Sequence, residues 1–192
     1  MEFFNDEISF YEIDFDYVKQ LHDIDSVVYY HSSYKTDIKP YVGIMLSISG
    51  IKYFVPLTSA KQRHGNSNWK LSTRDYLTIY EKVPINTLET NAIYRNIQGD
   101  KEYKHHILGV LDIRKMIPVP DGKFSKIDFG SLNLNYQFLF YKEHEFCKFN
   151  QDKIMENAKR LYELTESKGH KISKFHCDYK LLEQQMRALC QL

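Results

Sequence analysis

The sequence is poor in the features that most often identify a protein's chemistry. Its three cysteines (Cys147, Cys177, Cys190) are odd in number, widely spaced and contain no Cys-x-x-Cys pair, so neither a disulfide framework nor a zinc site is indicated. No apolar run approaches the roughly 18 residues that span a bilayer. The stretch Met1-Glu2-Phe3-Phe4-Asn5-Asp6-Glu7 is acidic where a secretory leader is basic, and a cytoplasmic location is expected. Internal repeats, low-complexity tracts and Pro/Gly-rich linkers are lacking, and the five prolines are scattered; residues 1–192 are therefore expected to form a single domain. A Walker-type glycine loop, a dinucleotide fingerprint, a Gly-x-Ser-x-Gly elbow and a His-Glu-x-x-His pair are all missing. Nucleotide-driven chemistry, a hydrolase triad, a bound metal and a cofactor lose support together.

What is present is an ordinary globular balance, 43% hydrophobic and 27% charged, which argues against disorder. The net charge of +1 conceals a strong asymmetry. Acids crowd Met1–Asp25, where Lys19 is the lone base, whereas Ile51–Arg74 holds Lys52, Lys61, Arg63, Lys70 and Arg74 and no acid. A basic face on a nearly neutral protein can hold a polyanion; a solvated charged loop is the plainer meaning.

Apolar periodicity gives the elements. Phe15, Tyr17, Val18, Leu21 and Ile24 recur at helical spacing and predict a short amphipathic helix over 15–24. Alternation in Val42, Ile44, Leu46, Ile48 and again in Ile51, Tyr53, Val55, Leu57 predicts a hairpin about Ser49-Gly50. A two-residue turn there sets Ile48 opposite Ile51, Leu46 opposite Tyr53, Ile44 opposite Val55 and Val42 opposite Leu57, and brings Lys39 towards Thr58, Ser59 and Lys61. A longer turn shifts this register by two and keeps the apolar face. Residues 106–119 read as a second strand pair with Pro118 and Pro120 at its end. The stretch 75–104 has no clear period. Beyond Leu132, Phe140, Cys147, Ile154 and Leu161 recur every seven residues and predict one long helix ending near Gly169; Leu181, Leu182, Met186 and Leu189 predict a final one.

The segment Thr58-Ser59-Ala60-Lys61, with Lys39, suits phosphodiester chemistry. Cleaving RNA without a metal requires the 2′-hydroxyl to lose a proton, the 5′-oxygen to gain one, and the phosphorane charge to be stabilised. Hydroxyls donate to non-bridging oxygens and ammonium groups supply compact positive charge. A strand that simply ends in a polar loop would read the same way. His64 follows in the basic stretch and titrates near neutrality in the open chain, which makes it a candidate acid, base or RNA contact. Tyr29, Tyr30 and Tyr34 precede Lys39, and aromatics beside bases stack single-stranded nucleic acid as readily as they fill cores. Lys168, Lys171 and Lys174, interleaved with His170 and His176, form a second basic cluster that either grips an RNA backbone or caps a helix.

Several of these segments carry a family resemblance. From Val42-Gly43-Ile44 through Leu57-Thr58-Ser59-Ala60-Lys61 to His64, the sequence resembles the ToxN/AbiQ family of type III toxin–antitoxin ribonucleases. Phe10-Tyr11-Glu12-Ile13 leading to Tyr17, Leu108-Gly109-Val110-Leu111 to Met116-Ile117-Pro118-Val119, and Cys177-Asp178-Tyr179-Lys180-Leu181-Leu182-Glu183 are similar to family segments in the same order. The resemblance implies an α+β fold, a compact twisted antiparallel sheet like the Kid/MazF barrel, decorated by helices. It implies metal-independent RNA cleavage that leaves a 2′,3′-cyclic phosphate and a 5′-hydroxyl, typically in A-rich contexts and in the setting of abortive phage defence. It also implies a repeated pseudoknot antitoxin RNA that the toxin processes and binds in a closed hetero-oligomeric assembly. By position, Tyr17, Lys39, Thr58, Ser59 and Lys61 match the family's catalytic pattern and His64 a following histidine. The family's tyrosine stands four residues before the lysine and Tyr34 stands five before Lys39, so Tyr30 and Lys35 compete for that place. Arg63, Lys70, Lys168, Lys171 and Lys174 complete the expected RNA contacts. Two other readings use the same residues: a non-catalytic RNA-binding module, and a protein-directed toxin on a similar barrel, against which the basic run counts.

Overall fold

The computed structural model describes residues 8–31, 41–48, 51–168 and 172–189, with the backbone alone over 41–48. The fold is α+β. The strands β1 (Phe10–Ile13), β2 (Tyr41–Ile48), β3 (Ile51–Ser59), β4 (Leu77–Pro84), β5 (Ile93–Asn96), β6 (Tyr103–Leu111), β7 (Ile117–Val119) and β8 (Phe124–Lys126) form one antiparallel sheet. Its main path runs β4-β6-β3-β2-β1-β8, with β5 on β6 and β7 on β3. The described strands do not close on themselves, so the α+β class is borne out and the barrel expected by resemblance is not.

Two strands change partner partway along one edge. β3 pairs with β7 over Lys52–Phe54 and with β6 over Leu57–Ser59, while β2 follows its other edge. β6 keeps β4 along one edge and pairs on the other with β3 over Gly109–Leu111, then with β5 over Lys104–Ile107. The two strands read from residues 106–119 are real, but they pair with β3 rather than with each other. Residues 75–104, unassigned from sequence, hold β4 and β5.

The hairpin forms with one change of register. Ile48 faces Ile51 as expected, but an irregularity between Ile44 and Ser47 shifts the remainder by two, so that Ile44 faces Tyr53 and Val42 faces Val55. The turn residues Ser49 and Gly50 lie outside the described residues. A shift of two leaves every side chain on its original face, which is why the apolar alternation predicts the strands correctly and their register only in part.

The helices are α1 (Phe15–Ile24), α2 (Leu134–Phe149), α3 (Gln151–Lys168) and α4 (Tyr179–Leu189). α1 begins where Asp14 accepts from the Tyr17 N–H at 2.7 Å, an N-cap that satisfies one of the helix's open donors. The long helix predicted after Leu132 is two. At Asn150 the backbone N–H reaches Phe146 and Lys148 and the side chain also donates to the Phe146 carbonyl, which ends α2 before α3 starts. Phe140, Cys147, Ile154 and Leu161 are nevertheless all buried, so the heptad identifies the core face on both sides of the break.

Glu143 on α2 is also in the core, and one of its carboxyl oxygens has no hydrogen-bond partner. Burial pushes its pKa up from 4.5 to about 8. The folded protein thus holds a proton that the unfolded chain releases above about pH 4.5, and stability falls with rising pH until about pH 8. Glu143→Gln, which cannot ionise, should match the wild type near pH 5 and exceed its unfolding free energy by roughly 2–4 kcal/mol near pH 9 in urea melts. A pH-independent difference would contradict this assignment.

Candidate active site

The site forms where β3 ends. β6 pairs with Ser59 at Gly109 and passes to β5 at Ile107, so the chain leaving β3 emerges at the exchange of partners. Approach is close there. A Cβ on Gly109 would meet Glu143 Oε1 at 2.8 Å and the Thr58 carbonyl at 3.0 Å, so a side chain at this position would force its neighbours apart. Thr58 is half-buried and its hydroxyl donates to the Val110 carbonyl at 3.2 Å; Ser59 and Lys61 are exposed. Lys61 makes no ion pair among the described residues.

The chain turns at once into a 3-10 segment, Gln62–Gly65. His64 closes it. Its backbone N–H donates to the Lys61 carbonyl at 2.8 Å, and its ring Nδ1 accepts from the Lys61 N–H at 3.0 Å. A neutral ring accepting at Nδ1 carries its proton on Nε2, so Arg63 Nε, 3.3 Å from Nε2, is a close approach of two N–H groups and not a hydrogen bond. The ring is 2% exposed and lies 4.6 Å from Trp69, whose indole stacks on Tyr76 and donates to Thr78. Burial, and then the charges of Arg63 and Lys61, lower the His64 pKa to about 4. His64 is therefore uncharged at neutral pH and holds the Lys61 backbone, a different task from the exposed acid, base or RNA contact weighed from sequence.

A second basic turn lies beside the middle of β3. Asp112 follows β6, its N–H donating to the Pro56 carbonyl at 3.1 Å, and the 3-10 turn Ile113–Lys115 comes next. The buried Asp112 carboxylate takes both Nε and Nη2 of Arg114, at 2.8 and 3.1 Å. Lys115 is half-buried with its ammonium 3.9 Å from the Tyr29 ring centroid, and burial lowers its pKa against the opposing attraction of Asp112. Neither Lys115 nor Tyr29 was assigned to the site from sequence. The Arg-Lys pair was visible there; its position beside β3 depends on a strand pairing that periodicity does not reveal.

The other expected residues are placed as follows. Tyr17 is 2% exposed in the core, and its phenol donates to the Pro118 carbonyl at 2.7 Å; it is not presented to solvent as an RNA-positioning or catalytic group. The amphipathic stripe that predicted α1 is the signal for that burial. Tyr30 is half-buried against Phe15 and His22. Lys39, Tyr34, Lys35 and Lys171 lie outside the described residues. Arg63, Lys70, Lys168 and Lys174 are exposed. The segment after Lys171 is tied to the second turn, where the Cys177 N–H donates to the Arg114 carbonyl at 3.0 Å.

An open antiparallel sheet covered by helices, with hydroxyls and the Lys61 ammonium at one strand's exit, defines an α+β protein with a candidate anion site there. Comparison with known proteins sharpens that class. The chain belongs to the ToxN toxin family of type III toxin–antitoxin systems, whose model matches residues 9–187. It is 29% identical over 184 residues to the endoribonuclease ToxN of Pectobacterium atrosepticum, covering 94% of this chain and 92% of that one. It is 27% identical to the endoribonuclease ToxN of Bacillus thuringiensis subsp. kurstaki, covering 93% and 82%, and 25% identical to the endoribonuclease AbiQ of Lactococcus lactis subsp. lactis, covering 92% and 86%. Among solved structures, a chain from a bacterial antiviral system regulated by a processed non-coding RNA superposes with a TM-score of 0.68 at 28% identity, covering 93% of this chain and 97% of that one. Lactococcal AbiQ superposes with a TM-score of 0.74 at 23% identity, covering 97% and 100%, and shares the fold.

The environment of His64 sets a measurable titration. The Nδ1 and Nε2 shifts of His64 followed by NMR should show a neutral ring down to about pH 4, and a midpoint near 6.5 would mean that the ring is solvated and the turn open.

Proposed function

We propose that this protein is a metal-independent endoribonuclease toxin acting through the turn Thr58-Ser59-Ala60-Lys61. The observation that carries the reading is the exit of β3, where exposed Ser59 and Lys61 stand beside Thr58 with no ion pair on Lys61 among the described residues. An ammonium without a neighbouring carboxylate is available to an incoming anion. Its relatives' endoribonuclease activity supplies the reaction class.

In this reading the 2′-oxygen of the RNA attacks the adjacent phosphorus as its proton departs, and a pentacoordinate phosphorane forms. The bond to the 5′-oxygen then breaks, and that oxygen takes up a proton. The products are a 2′,3′-cyclic phosphate and a 5′-hydroxyl. Thr58 and Ser59 hold the non-bridging oxygens, while Lys61, with Lys39 assigned from the sequence pattern, stabilises the negative charge that grows on them. Tyr34 is assigned on the same ground to positioning the RNA. Tyr17 contributes from behind, fixing α1 to β7 through Pro118. His64 sets the course of the backbone at Lys61.

The partner is an antitoxin RNA built of pseudoknot repeats, which the toxin processes and binds in a closed hetero-oligomeric assembly, and the setting is cytoplasmic phage defence. One solved relative at 24% identity is described as inhibited selectively by a non-coding RNA pseudoknot, which supports an RNA of this shape. Exposed Arg63 and Lys70 lie on the same turn and its continuation, and Lys168 and Lys174 precede Cys177, which is bonded to Arg114. These bases provide backbone contacts for either RNA.

Lys61→Ala should lower cleavage of an A-rich RNA by at least about a hundredfold, the scale of one lost charge-stabilising donor, with an unchanged melting temperature. Cleavage at the wild-type rate would remove Lys61 from the mechanism. Activity should persist in EDTA and yield cyclic-phosphate ends; a shifted RNA band without cleavage would mark a binding module instead.

A further inference from the structure

We infer that Arg95, on β5, is a positioning residue of the Lys61 site: its guanidinium holds the 66–70 loop, whose Trp69 seats the His64 ring against the Lys61 backbone. This rests on the ribonuclease reading above and adds a residue to it.

The guanidinium brackets the loop at two points. Arg95 Nη1 donates to the Trp69 carbonyl at 2.5 Å and Nη2 to the Ser67 carbonyl at 3.2 Å. Among the described residues neither carbonyl accepts from a backbone N–H, and Arg95 has no carboxylate partner. The charge is therefore spent on these two oxygens, and a charged donor bonds a carbonyl more strongly than a neutral one. A planar fork reaches both carbonyls at once, where an ammonium would act as a point charge.

The hold passes to the catalytic turn through rings in contact. Trp69 is fixed within the loop by its backbone N–H, which donates to the Asn66 carbonyl at 3.0 Å. Its indole donates to the Thr78 hydroxyl at 2.9 Å and stacks on Tyr76 at 4.7 Å. The same indole lies 4.6 Å from the His64 ring, and that ring accepts from the Lys61 N–H. β5 also supports the turn directly. A Cβ on Gly65 would stand 2.8 Å from the Tyr94 carbonyl and 3.1 Å from the Ile93 side chain, so the Gln62–Gly65 segment rests on the two residues that precede Arg95. β5 in turn is held by its pairing with Lys104–Ile107 of β6. Opening the bracket frees Trp69, admits water to the His64 ring and loosens the backbone that carries Lys61. The burial that keeps the ring uncharged is lost at the same step.

The test uses the full-length protein and a short A-rich RNA. Arg95→Met keeps the stem and removes both bonds, and Arg95→Lys keeps the charge without the fork. In Arg95→Met we expect kcat to fall about tenfold, the scale of a lost charged hydrogen bond, with KM within about twofold of wild type. Arg95→Lys should lie between the two. The NMR midpoint of His64, read without RNA, should rise from about 4 towards 6.5 in Arg95→Met. In a His64→Ala background the Arg95→Met loss in kcat should shrink, because both residues act through the Lys61 backbone. An unmoved His64 midpoint would overturn the inference whatever the rate, since a residue that only stabilises the fold lowers the melting temperature and leaves that midpoint in place. A raised KM with unchanged kcat would overturn it too, by making Arg95 an RNA contact, as would strict additivity with His64→Ala. Absence of cleavage by the wild-type protein would overturn the ribonuclease reading, while the His64 midpoint would still decide whether Arg95 holds the turn. Should Arg95→Met fail to fold, the same readouts on Arg95→Lys decide.

Discussion

The backbone of β3 must be hydrogen-bonded on both edges, and no single neighbour spans its length. β2 serves one edge, whereas the other is divided between β7 and β6. That division sets the turn after β6 beside Phe54–Pro56, in the gap between the two partners, and lets the chain beyond Ser59 run on towards β5. β6 is divided in turn, between β3 and β5, which leaves the exit of Ser59 without a following strand partner. The Gln62–Gly65 turn occupies that point, and it comes so near β5 that a Cβ on Gly65 would stand 2.8 Å from the Tyr94 carbonyl. Unsatisfied backbone polar groups are costly in a protein interior, so the partner exchange fixes the geometry of the site before any catalytic side chain is considered.

Buried phenols lock the helices to the same strand. Tyr53 on β3 donates to Glu183 at 2.6 Å and Tyr162 on α3 donates to the same carboxylate at 2.8 Å, which joins α4, α3 and β3 at one oxygen. Lys180 and Arg187 balance the charge of Glu183 from the solvent side, and burial beside that carboxylate pushes the Tyr53 phenol well up. Tyr17 does for α1 and β7 what Tyr53 does for α4. Many of the tyrosines that sequence composition offers as stacking surfaces are therefore polar anchors of the core. A phenol can bury its ring and still satisfy its hydroxyl, which suits it to this position between sheet and helix.

The electrostatics follow from the same arrangement. The buried Asp112 carboxylate is held at two points by Arg114, whereas Lys61 at the exit of β3 makes no ion pair among the described residues. The basic run noted between Ile51 and Arg74 is thereby divided between residues that the fold engages, such as Lys52 with Asp121, and residues left exposed at the turn after β3.

The sequence by itself determined the strands of the hairpin, the extent of α1, the core face of α2 and α3, and the polar turn 58–61, because each rests on a local period or a cap that neighbouring residues set. The family pattern assigned Thr58, Ser59 and Lys61 to the proposed site by position, and these three share the end of β3 and the chain that leaves it. Only the tertiary structure decided the register beyond Ile44, the break at Asn150, and the pairing of β6 and β7 with β3 instead of each other. It also decided that Tyr17 and His64 face inward and that the turn bearing Lys115 lies beside the middle of β3. These outcomes depend on which distant strand satisfies a given backbone edge and on what burial does to a phenol or an imidazole. Periodicity shows that a residue has a face, and the partner across the sheet determines what that face meets.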